Sequence, residues 1–351
     1  IRFALIGCSN IARKHAESLR RIEEAELVGA CDLDEAKAQS LGGEYNVPHF
    51  TDYRKMLEAL RVDVVTVLTP TGDHAERVLD VINFCKYVLV EKPMALRLED
   101  ADAMIRGCDE AGVKLFVVKQ NRYNKPIQAL RMALETGRFG RLVMGTVRVR
   151  WCRTQSYYDS APWRGTWAWD GGVLTNQASH HIDMLEWMLG EAESVVAMTA
   201  TRLVNIEAED TAAAILRFRN GALGVVEATT ATRPKDLEGS ISILGEKGSV
   251  VIGGFAMDKL ITWEFPDRQP EDKVIFETHG ENPKEFAWNH TGYLKHVVKT
   301  IQTDRKALVD GLEGRKSLEL INAFYESAET GREVALRFRP KECRLGVRTH
   351  G

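Results

Sequence analysis

The sequence predicts an α/β fold in two parts, a doubly wound parallel sheet followed by an α+β domain with a large, mostly antiparallel sheet. Through the first third of the chain, short apolar strand patterns alternate with helical patterns, which is typical of parallel sheets. Beyond residue 118 the strand patterns lengthen, alternate with period two and are joined by turn pairs such as Asn220-Gly221 and Lys247-Gly248. We therefore expect two domains, residues 1–120 and 121–351.

The elements of the first domain follow from its apolar periodicity. The expected strands are 1–6, 26–31, 63–68, 87–90 and 114–118. The expected helices are 13–20, one beginning near Glu35, 53–60, 74–84 and 98–111. Each strand is a short run rich in Val, Ile and Leu, as strands covered on both faces require.

Residues 119–126 form a polar hinge, and the domain boundary is placed within it, near Asn121. A helix is expected at 127–136, and the last clear helix at 312–330. The expected strands are 142–151, 194–201, 211–218, 222–230 and 240–244. Their alternation of apolar and polar residues indicates strands with one buried face.

Composition excludes several classes of partner. The 47 basic and 50 acidic residues are mixed along the chain, so no basic face for nucleic acid is expected. No apolar run approaches the roughly 20 residues that cross a bilayer, so we expect no membrane segment. The six cysteines are scattered without a C-x-x-C pair, which favours reduced thiols and a cytoplasmic location.

The first strand runs into a turn that resembles a dinucleotide fingerprint. Such a turn needs glycine at the bend, a small residue beside the pyrophosphate, and glycine or alanine where helix packs on strand. Gly7, Ser9 and Ala12 fill these places, although Ser9 departs from the usual glycine. We expect Gly7, Ser9, Asn10 and Ile11 to contact the cofactor.

The second strand ends at Asp32, where a carboxylate can accept hydrogen bonds from the adenosine ribose. That carboxylate would repel a 2′-phosphate, and Leu33 supplies no cation to attract one, so NAD is favoured over NADP. The alternative is that Asp32 caps the next helix, a role that Asp34 could also fill.

Two further strand ends carry polar residues toward the same edge of the sheet, where open α/β sheets bind ligands. Thr69, Pro70 and His74 follow the third strand, and Glu91 and Lys92 follow the fourth. A lysine in such a crevice can hydrogen-bond a substrate oxygen or transfer a proton. The alternatives are a solvated Glu91-Lys92 pair and a His74 that merely begins a helix.

A glycine turn at 170–172 leads into a helix that carries Asn176, His180, His181 and Asp183. His180 shares a helix face with Asp183, and with Asn176 if the helix begins that early. Adjacent histidines point about 100° apart on a helix, so His180 and His181 cannot easily share one ion. We expect no metal here.

Three motifs together resemble the glucose-fructose oxidoreductase/inositol dehydrogenase (Gfo/Idh/MocA) family over essentially the whole chain. They are Gly7-x-Ser9-x-x-Ala12, Glu91-Lys92-Pro93 and Asn176-x-x-x-His180-x-x-Asp183. The segments 119–124 and 163–177 further resemble the bacterial UDP-N-acetyl-2-amino-2-deoxyglucuronate 3-dehydrogenases, which act in surface polysaccharide (lipopolysaccharide) synthesis.

The resemblance implies an NAD-binding Rossmann domain, an open-faced C-terminal sheet used for substrate binding and oligomerisation, and oxidation of a sugar hydroxyl. It places the active-site lysine at Lys92 and the active-site histidine at His180. Many relatives have aspartate four residues before that histidine, where this chain has Asn176. An Asp-His relay is therefore in doubt.

The narrower resemblance implies a UDP-linked N-acetylglucosaminuronate as substrate, oxidised at C3, with NADH recycled by 2-oxoglutarate in the same site, and a tetramer. Aromatic planes and a guanidinium suit uracil and phosphates, so Tyr157, Tyr158 and Arg164 are candidates for the sugar nucleotide, although a core-and-rim role explains them equally well. The remaining expected contacts to cofactor are Thr69, Pro70, His74, Glu91, Lys92, Gln120, Trp163 and Arg164. The expected substrate contacts are Lys92, Tyr157, Arg164, Asn176 and His180.

We expect His180 to be the base and Lys92 to orient and polarise the hydroxyl oxygen, with the reverse assignment as the alternative. The ordinary pKa of a lysine is too high for a good base at neutral pH, whereas that of histidine is suitable. Two other functions stay open, a dehydrogenase of free sugars or cyclitols and a sensor that binds NAD or a sugar without redox chemistry. The presence of both Lys92 and His180 favours an enzyme.

Overall fold

The computed structural model describes residues 1–336 and Leu345, and it divides into two compact units. The first unit contains residues 1–120 and 284–315, and the second contains 121–283 and 316–351. The sequence analysis placed everything after residue 120 in one domain, whereas residues 284–315 pack with the first unit.

The first unit is built on a six-stranded sheet in the order β3-β2-β1-β4-β5-β6, with every neighbouring pair parallel. Its strands are β1 (Arg2–Ile6), β2 (Glu26–Cys31), β3 (His49–Phe50), β4 (Val64–Val67), β5 (Tyr87–Val90) and β6 (Lys114–Val117). The strand order reverses between β1 and β4, where the carboxyl ends of the strands open a ligand crevice in such folds. The predicted doubly wound sheet is confirmed.

Helices connect these strands. They are α1 (Asn10–Arg20), α2 (Glu35–Tyr45), α3 (Tyr53–Ala59), α4 (His74–Val81) and α5 (Leu98–Glu110). The side chain of Asp34 caps α2 by accepting from the backbone N–H groups of Ala36 and Lys37. The residue that caps α2 is therefore Asp34, not Asp32. Helix α1 begins three residues earlier than the sequence predicted, directly after Ser9.

The second unit carries an eight-stranded sheet in the order β13-β12-β11-β7-β10-β9-β8-β14. Its strands are β7 (Leu142–Arg150), β8 (Ala192–Ala200), β9 (Thr211–Phe218), β10 (Leu223–Thr229), β11 (Glu238–Gly245), β12 (Gly248–Gly253), β13 (Lys259–Glu264) and β14 (Val334–Ala335). All pairs are antiparallel except β7 with β10. The mixed, mostly antiparallel sheet confirms the predicted fold class, although the sequence analysis missed β12, β13 and β14.

The two faces of this sheet differ. Along β9 the residues alternate strictly between buried and outward-facing, the period of a strand with one covered face. Helix α8 (Ser179–Leu189) covers one face, where the Cδ1 atoms of Leu189 and Leu185 lie 2.7 and 2.9 Å from the position that a Cβ atom on Gly145 would take. The opposite face exposes large apolar side chains such as Met198 and Ile215.

The other helices of the second half are α6 (Lys125–Glu135), α7 (Gln155–Asp159), α9 (Ile275–His279), α10 (Trp288–Thr303) and α11 (Gly311–Thr330). Helix α10, which the sequence analysis missed, lies within the first unit and packs on α1. Within the described part of the chain, none of the helices combines the length and the apolarity needed to cross a bilayer.

Candidate functional site

The turn after β1 is shaped to admit a ligand close to its backbone. Gly7 has a φ of +99°, and a Cβ atom there would lie 2.7 Å from the carbonyl oxygen of Leu68. Only glycine fits both restrictions. Ser9 then precedes α1 without using its side chain as a cap, and Ala12 is buried where the helix packs on the sheet. These features fit a dinucleotide at the start of α1.

Asp32 braces this turn from the end of β2. One carboxylate oxygen accepts the backbone N–H of Cys8 at 2.8 Å, and the other accepts that of Asp34 at 2.9 Å. Each oxygen keeps a second lone pair that could accept from a ribose hydroxyl. The neighbouring Leu33 is 93% exposed and presents no charge. The carboxylate is therefore suited to NAD.

His74 is the first residue of α4, as the alternative in the sequence analysis had it, and its side chain is buried. Its ring is 1% exposed, with Nδ1 3.0 Å from the carbonyl oxygen of Pro93 and Nε2 2.9 Å from that of Thr69. Burial lowers the pKa of the imidazole against the opposing effect of these two contacts. Because a neutral imidazole carries one N–H, it donates to one of these two carbonyl oxygens, and the expected contact of His74 with the cofactor stays a prediction. His74 joins the loops that follow β4 and β5.

Glu91 and Lys92 directly follow β5, and Glu91 is buried. Its Oε1 lies 2.9 Å from Nε2 of His15 on α1, and its Oε2 accepts the backbone N–H of Lys92 at 3.0 Å. Burial alone would raise the pKa of Glu91, but the hydrogen bond and charge of His15, with His290 and Lys92, lower it to about 2. Glu91 is therefore an ionised, paired carboxylate, so the solvated alternative is wrong for this residue. His15 and His290 had not been singled out from the sequence.

In the second unit, the segment from Gly171 to Leu185 is buried except at Asn176 and His180. Asn176 lies in a turn before α8, so the two do not share a helix as the sequence analysis had considered. The amide nitrogen of Asn176 donates to Asp170 at 2.6 Å. These two partly exposed side chains are the polar groups that this buried segment presents.

A buried hydrogen-bond network holds the start of this segment, around Leu174 and Thr175. Glu209 Oε1 accepts the backbone N–H of Leu174 and the hydroxyl of Tyr325, each at 2.9 Å. Thr175 Oγ1 lies 2.9 Å from the same hydroxyl. A Cβ atom on Gly172 would lie 2.1 Å from Glu209 Oε2, so the glycine is required for this close approach. Because these partners are far apart in sequence, nothing in the local pattern indicated them.

His181 and Asp183 face the core rather than the surface that exposes His180. His181 is fully buried against Trp151, and burial lowers its pKa to about 3. Asp183 forms a bidentate pair with Arg122, whose Nε and Nη2 donate at 2.9 and 2.8 Å. Asp183 is thus held in a buried ion pair, whereas His180 is partly exposed.

Tyr157, Trp163 and Arg164 form a second polar group of this unit. The Arg164 guanidinium carbon lies 4.3 Å from the centre of the Tyr157 ring and 4.5 Å from the Trp163 ring. Its Nη1 donates to the Tyr157 hydroxyl at 2.5 Å, while its Nε is buried without a partner among the described residues. Tyr158 instead is buried and hydrogen-bonded to Thr230, which removes it as a ligand contact.

The predicted site residues divide between the two units. The first unit contains Gly7, Ser9, Asn10, Ile11, Asp32, Thr69, Pro70, Glu91, Lys92 and Gln120. The second contains Tyr157, Trp163, Arg164, Asn176 and His180. Within the first unit, the loops that carry these residues all follow the carboxyl ends of parallel strands, as a dinucleotide site requires.

Comparison with family models covers most of the chain. The model of an oxidoreductase family (Gfo/Idh/MocA) described as an NAD-binding Rossmann fold matches residues 1–119. The model of the C-terminal alpha/beta domain of the same family matches residues 131–336. A myo-inositol 2-dehydrogenase of Thermotoga maritima is 26% identical over 351 residues, covering 96% of this chain and 98% of that protein.

Two solved structures are more similar in sequence. The WlbA dehydrogenase from Bordetella pertussis, in complex with NADH and UDP-GlcNAcA, is 43% identical with a TM-score of 0.88, covering 95% of this chain and 98% of that one. The WlbA dehydrogenase from Chromobacterium violaceum, with the same two ligands, is 43% identical with a TM-score of 0.90, covering 95% of each chain.

Proposed function

Because the chain belongs to the Gfo/Idh/MocA family of NAD-binding oxidoreductases, we propose that it oxidises the C3 hydroxyl of a UDP-linked N-acetylglucosaminuronate. The observation that carries this proposal is the 43% identity, over 95% of the chain, to dehydrogenases whose structures contain NADH and UDP-GlcNAcA. The second candidate is oxidation of a free sugar or cyclitol, which the myo-inositol 2-dehydrogenase at 26% identity favours.

Arg164 supports a substrate that carries phosphates or a carboxylate. Its guanidinium is held against two aromatic rings, and its buried Nε lacks a partner among the described residues. A buried donor without an acceptor is costly, and an anionic oxygen is the strongest acceptor that a guanidinium can take. A free cyclitol has no such oxygen, so a substrate contact at Arg164, rather than a contact with the pyrophosphate of NAD, favours the sugar nucleotide.

The reaction removes a hydride from carbon and a proton from the attached hydroxyl. Bound NAD supplies the hydride acceptor. His180 accepts the hydroxyl proton, and Lys92 donates a hydrogen bond that stabilises the oxygen as its charge develops. The ionised Glu91 beside Lys92 favours the charged ammonium form, which suits Lys92 as a donor rather than as the base.

Asn176 contributes orientation. Its amide nitrogen donates to Asp170, which fixes the orientation of the amide and suits it to orient a sugar hydroxyl or the imidazole. An amide cannot take up a proton at ordinary pH, so Asn176 cannot relay the proton that His180 accepts from the substrate.

Absorbance of reduced nicotinamide tests the proposal. Purified protein with NAD is mixed with UDP-GlcNAcA, UDP-GlcNAc, the free N-acetylglucosaminuronate or myo-inositol, each with and without 2-oxoglutarate. We expect oxidation of UDP-GlcNAcA alone to be rapid, because the free sugar leaves polar groups of the site unpaired. Comparable oxidation of myo-inositol would favour the second candidate, and the absence of any oxidation would favour a sensor. If 2-oxoglutarate reoxidises bound NADH, absorbance will fall when it is added.

The variant Arg164→Met separates substrate from cofactor binding. We expect KM for UDP-GlcNAcA to rise at least tenfold, about 1.4 kcal/mol of binding, with KM for NAD changed less than threefold. The reverse result would assign Arg164 to the cofactor.

We also propose that a second copy of the chain covers the open face of the large sheet and that four copies assemble. Ile215 pairs with Val196 and with Val225 on neighbouring strands, so these side chains form one row, and Met198 beside it is 76% exposed. Further along the face, two arginines and two glutamates form ion pairs: Arg148, Arg150, Glu227 and Glu238. An apolar row beside paired charges can pack against its own symmetry copy. Light scattering should give a tetramer, and Ile215→Glu should reduce its mass.

A further inference from the structure

His15 and Glu91 form a buried hydrogen-bonded pair that is joined to the backbone of Lys92. His15 is fully buried on α1, and its Nε2 lies 2.9 Å from Glu91 Oε1. Because Glu91 is ionised and can only accept, Nε2 is the donor. The other oxygen of Glu91 accepts the N–H of Lys92 at 3.0 Å. One carboxylate therefore connects α1 to Lys92, which lies two residues after the end of β5.

We propose that His15 is a positioning residue that acts through Glu91 to fix Lys92 and to keep it positively charged. This inference rests on the role proposed for Lys92 above. Without His15, Oε1 of Glu91 would be buried without its donor, and a buried carboxylate in that state either takes up a proton or turns toward water. Either response weakens its bond to the Lys92 backbone and its effect on the Lys92 charge.

Four charged or titratable groups surround Glu91 on the packed elements. They are His15 on α1, His290 on α10, His74 on α4 and Lys92 itself. The pKa of His290 is lowered to about 3, by burial first and then by the charge of His15, so it stays neutral near pH 7. His74 is likewise held neutral by burial. Glu91 is thus the group whose charge acts on Lys92 from within this cluster.

The same cluster has side chains that can bind a metal ion, and possible ligand atoms of His15, Glu91 and His290 all lie within 4.8 Å of one another. The separation of 2.9 Å between Nε2 and Oε1 is that of a hydrogen bond, and Glu91 Oε2 is already engaged by the Lys92 backbone. A hydrogen-bonded pair explains these positions without an ion. Metal analysis of the purified protein distinguishes a hydrogen-bonded pair from a metal site.

The test compares four variants on whichever sugar the wild type oxidises. His15→Phe removes the donor, and His15→Gln restores an N–H that can reach Glu91. Glu91→Gln removes the negative charge of the side chain while keeping its shape. It is expected to have the same effect on kcat as His15→Phe, so it tests the proposal if His15→Phe does not fold. Ser18→Ala is the matched control, because it removes the 3.1 Å hydrogen bond between Thr291 and Ser18 in the same pair of helices without touching Glu91.

We expect His15→Phe and Glu91→Gln to lower kcat at least tenfold, with KM for NAD changed less than threefold. Loss of the negative charge should also shift the alkaline limb of the kcat profile to lower pH. His15→Gln should recover most of both effects, and Ser18→Ala should show neither.

Two results would overturn the proposal. One is a kcat and pH profile of His15→Phe indistinguishable from those of Ser18→Ala. The other is a stoichiometric metal ion that is lost in His15→Phe. The substrate proposal fails separately, because a wild type that oxidises free sugars but not UDP-GlcNAcA still allows the four variants to be compared.

Discussion

The side-chain amide of Asn176 donates to the carboxylate of Asp170 at 2.6 Å. Asp170 is buried, and its other oxygen accepts the backbone N–H of Gly165 at 2.9 Å. The carboxylate therefore fixes both the turn and the orientation of the amide. This contact explains physically why asparagine is suited to position 176 in this chain.

Replacing Asn176 by aspartate should damage the site rather than create an Asp-His relay. Two carboxylates at this separation cannot both be ionised, so they would share a proton or move apart. We expect Asn176→Asp to lower kcat roughly 10²-fold, the cost of a misplacement near 1 Å. Steady-state kinetics between pH 5 and 8 measures this, with partial recovery expected at the acid end, where one carboxyl is protonated.

The double variant Asp170→Asn with Asn176→Asp is the control. It exchanges the two groups, so the amide at 170 can donate to the carboxylate at 176 while its oxygen accepts from Gly165. We expect it to recover at least part of the lost kcat. A single Asn176→Asp variant with unchanged kcat would contradict the importance of this hydrogen bond.

Asp32 should select NAD through its charge. The pair of changes Asp32→Ala and Leu33→Arg removes the repulsion and adds a cation, so Kd for NADP should fall relative to that for NAD by at least 10²-fold. The absolute affinity for NAD should also fall, because Asp32 braces Cys8. Calorimetry measures both constants.

Asp34→Ala is the matched control for this change. It removes a carboxylate two residues away whose function is to cap α2, so it should cost about 1 kcal/mol of stability and leave the NAD to NADP ratio unchanged. An equal shift of the ratio in both variants would show that the effect is not specific to Asp32.

Lys92→Met and His180→Ala should each lower kcat by about 10² to 10⁴, the usual cost of losing an acid-base partner. NAD binding, measured by calorimetry, should stay nearly intact. His180→Ala should also lose the acid limb of the pH profile if the histidine is the base. If that limb persists with near-normal turnover, Lys92 is the base and the roles are exchanged.

The parallel sheet could be predicted because its strands are buried on both faces and therefore appear as separate apolar runs. Asp32, Glu91 and Lys92 could be located because they directly follow such runs. Asn176 and His180 were found through a motif, although the helix expected to join them begins only at Ser179.

The supporting contacts could not be predicted, since they join residues far apart in sequence. His15 and Glu91 are separated by 76 residues, and Glu209 and Tyr325 by 116. The contact of His74 with the carbonyl of Pro93 is of the same kind, because that carbonyl lies on another loop. Similarly, no local pattern in the sequence indicates that α10 packs on α1 rather than on the elements next to it in the chain.

Glu209 should make stability depend on pH in an unusual direction. Burial raises the pKa of this carboxyl to about 7, against the opposing effect of its hydrogen bonds from Leu174 and Tyr325. Its Oε2 is buried without a partner among the described residues, which suits a protonated carboxyl. The folded protein thus holds a proton that the unfolded chain releases near pH 4.5.

From this difference, the contribution of Glu209 to stability is complete below about pH 4.5 and is lost as pH rises toward 7. The full change is roughly 3 kcal/mol, since one pKa unit corresponds to about 1.4 kcal/mol. Glu209→Gln, which cannot ionise, should therefore show a smaller fall in the free energy of unfolding across this pH window than wild type. Urea titrations at pH 5, 6 and 7 measure it, with Glu207→Gln, whose carboxylate accepts from the Trp167 backbone in an exposed contact, as the matched control. Parallel curves for wild type and Glu209→Gln would mean that Glu209 is ionised in the folded protein and that its pKa is not raised.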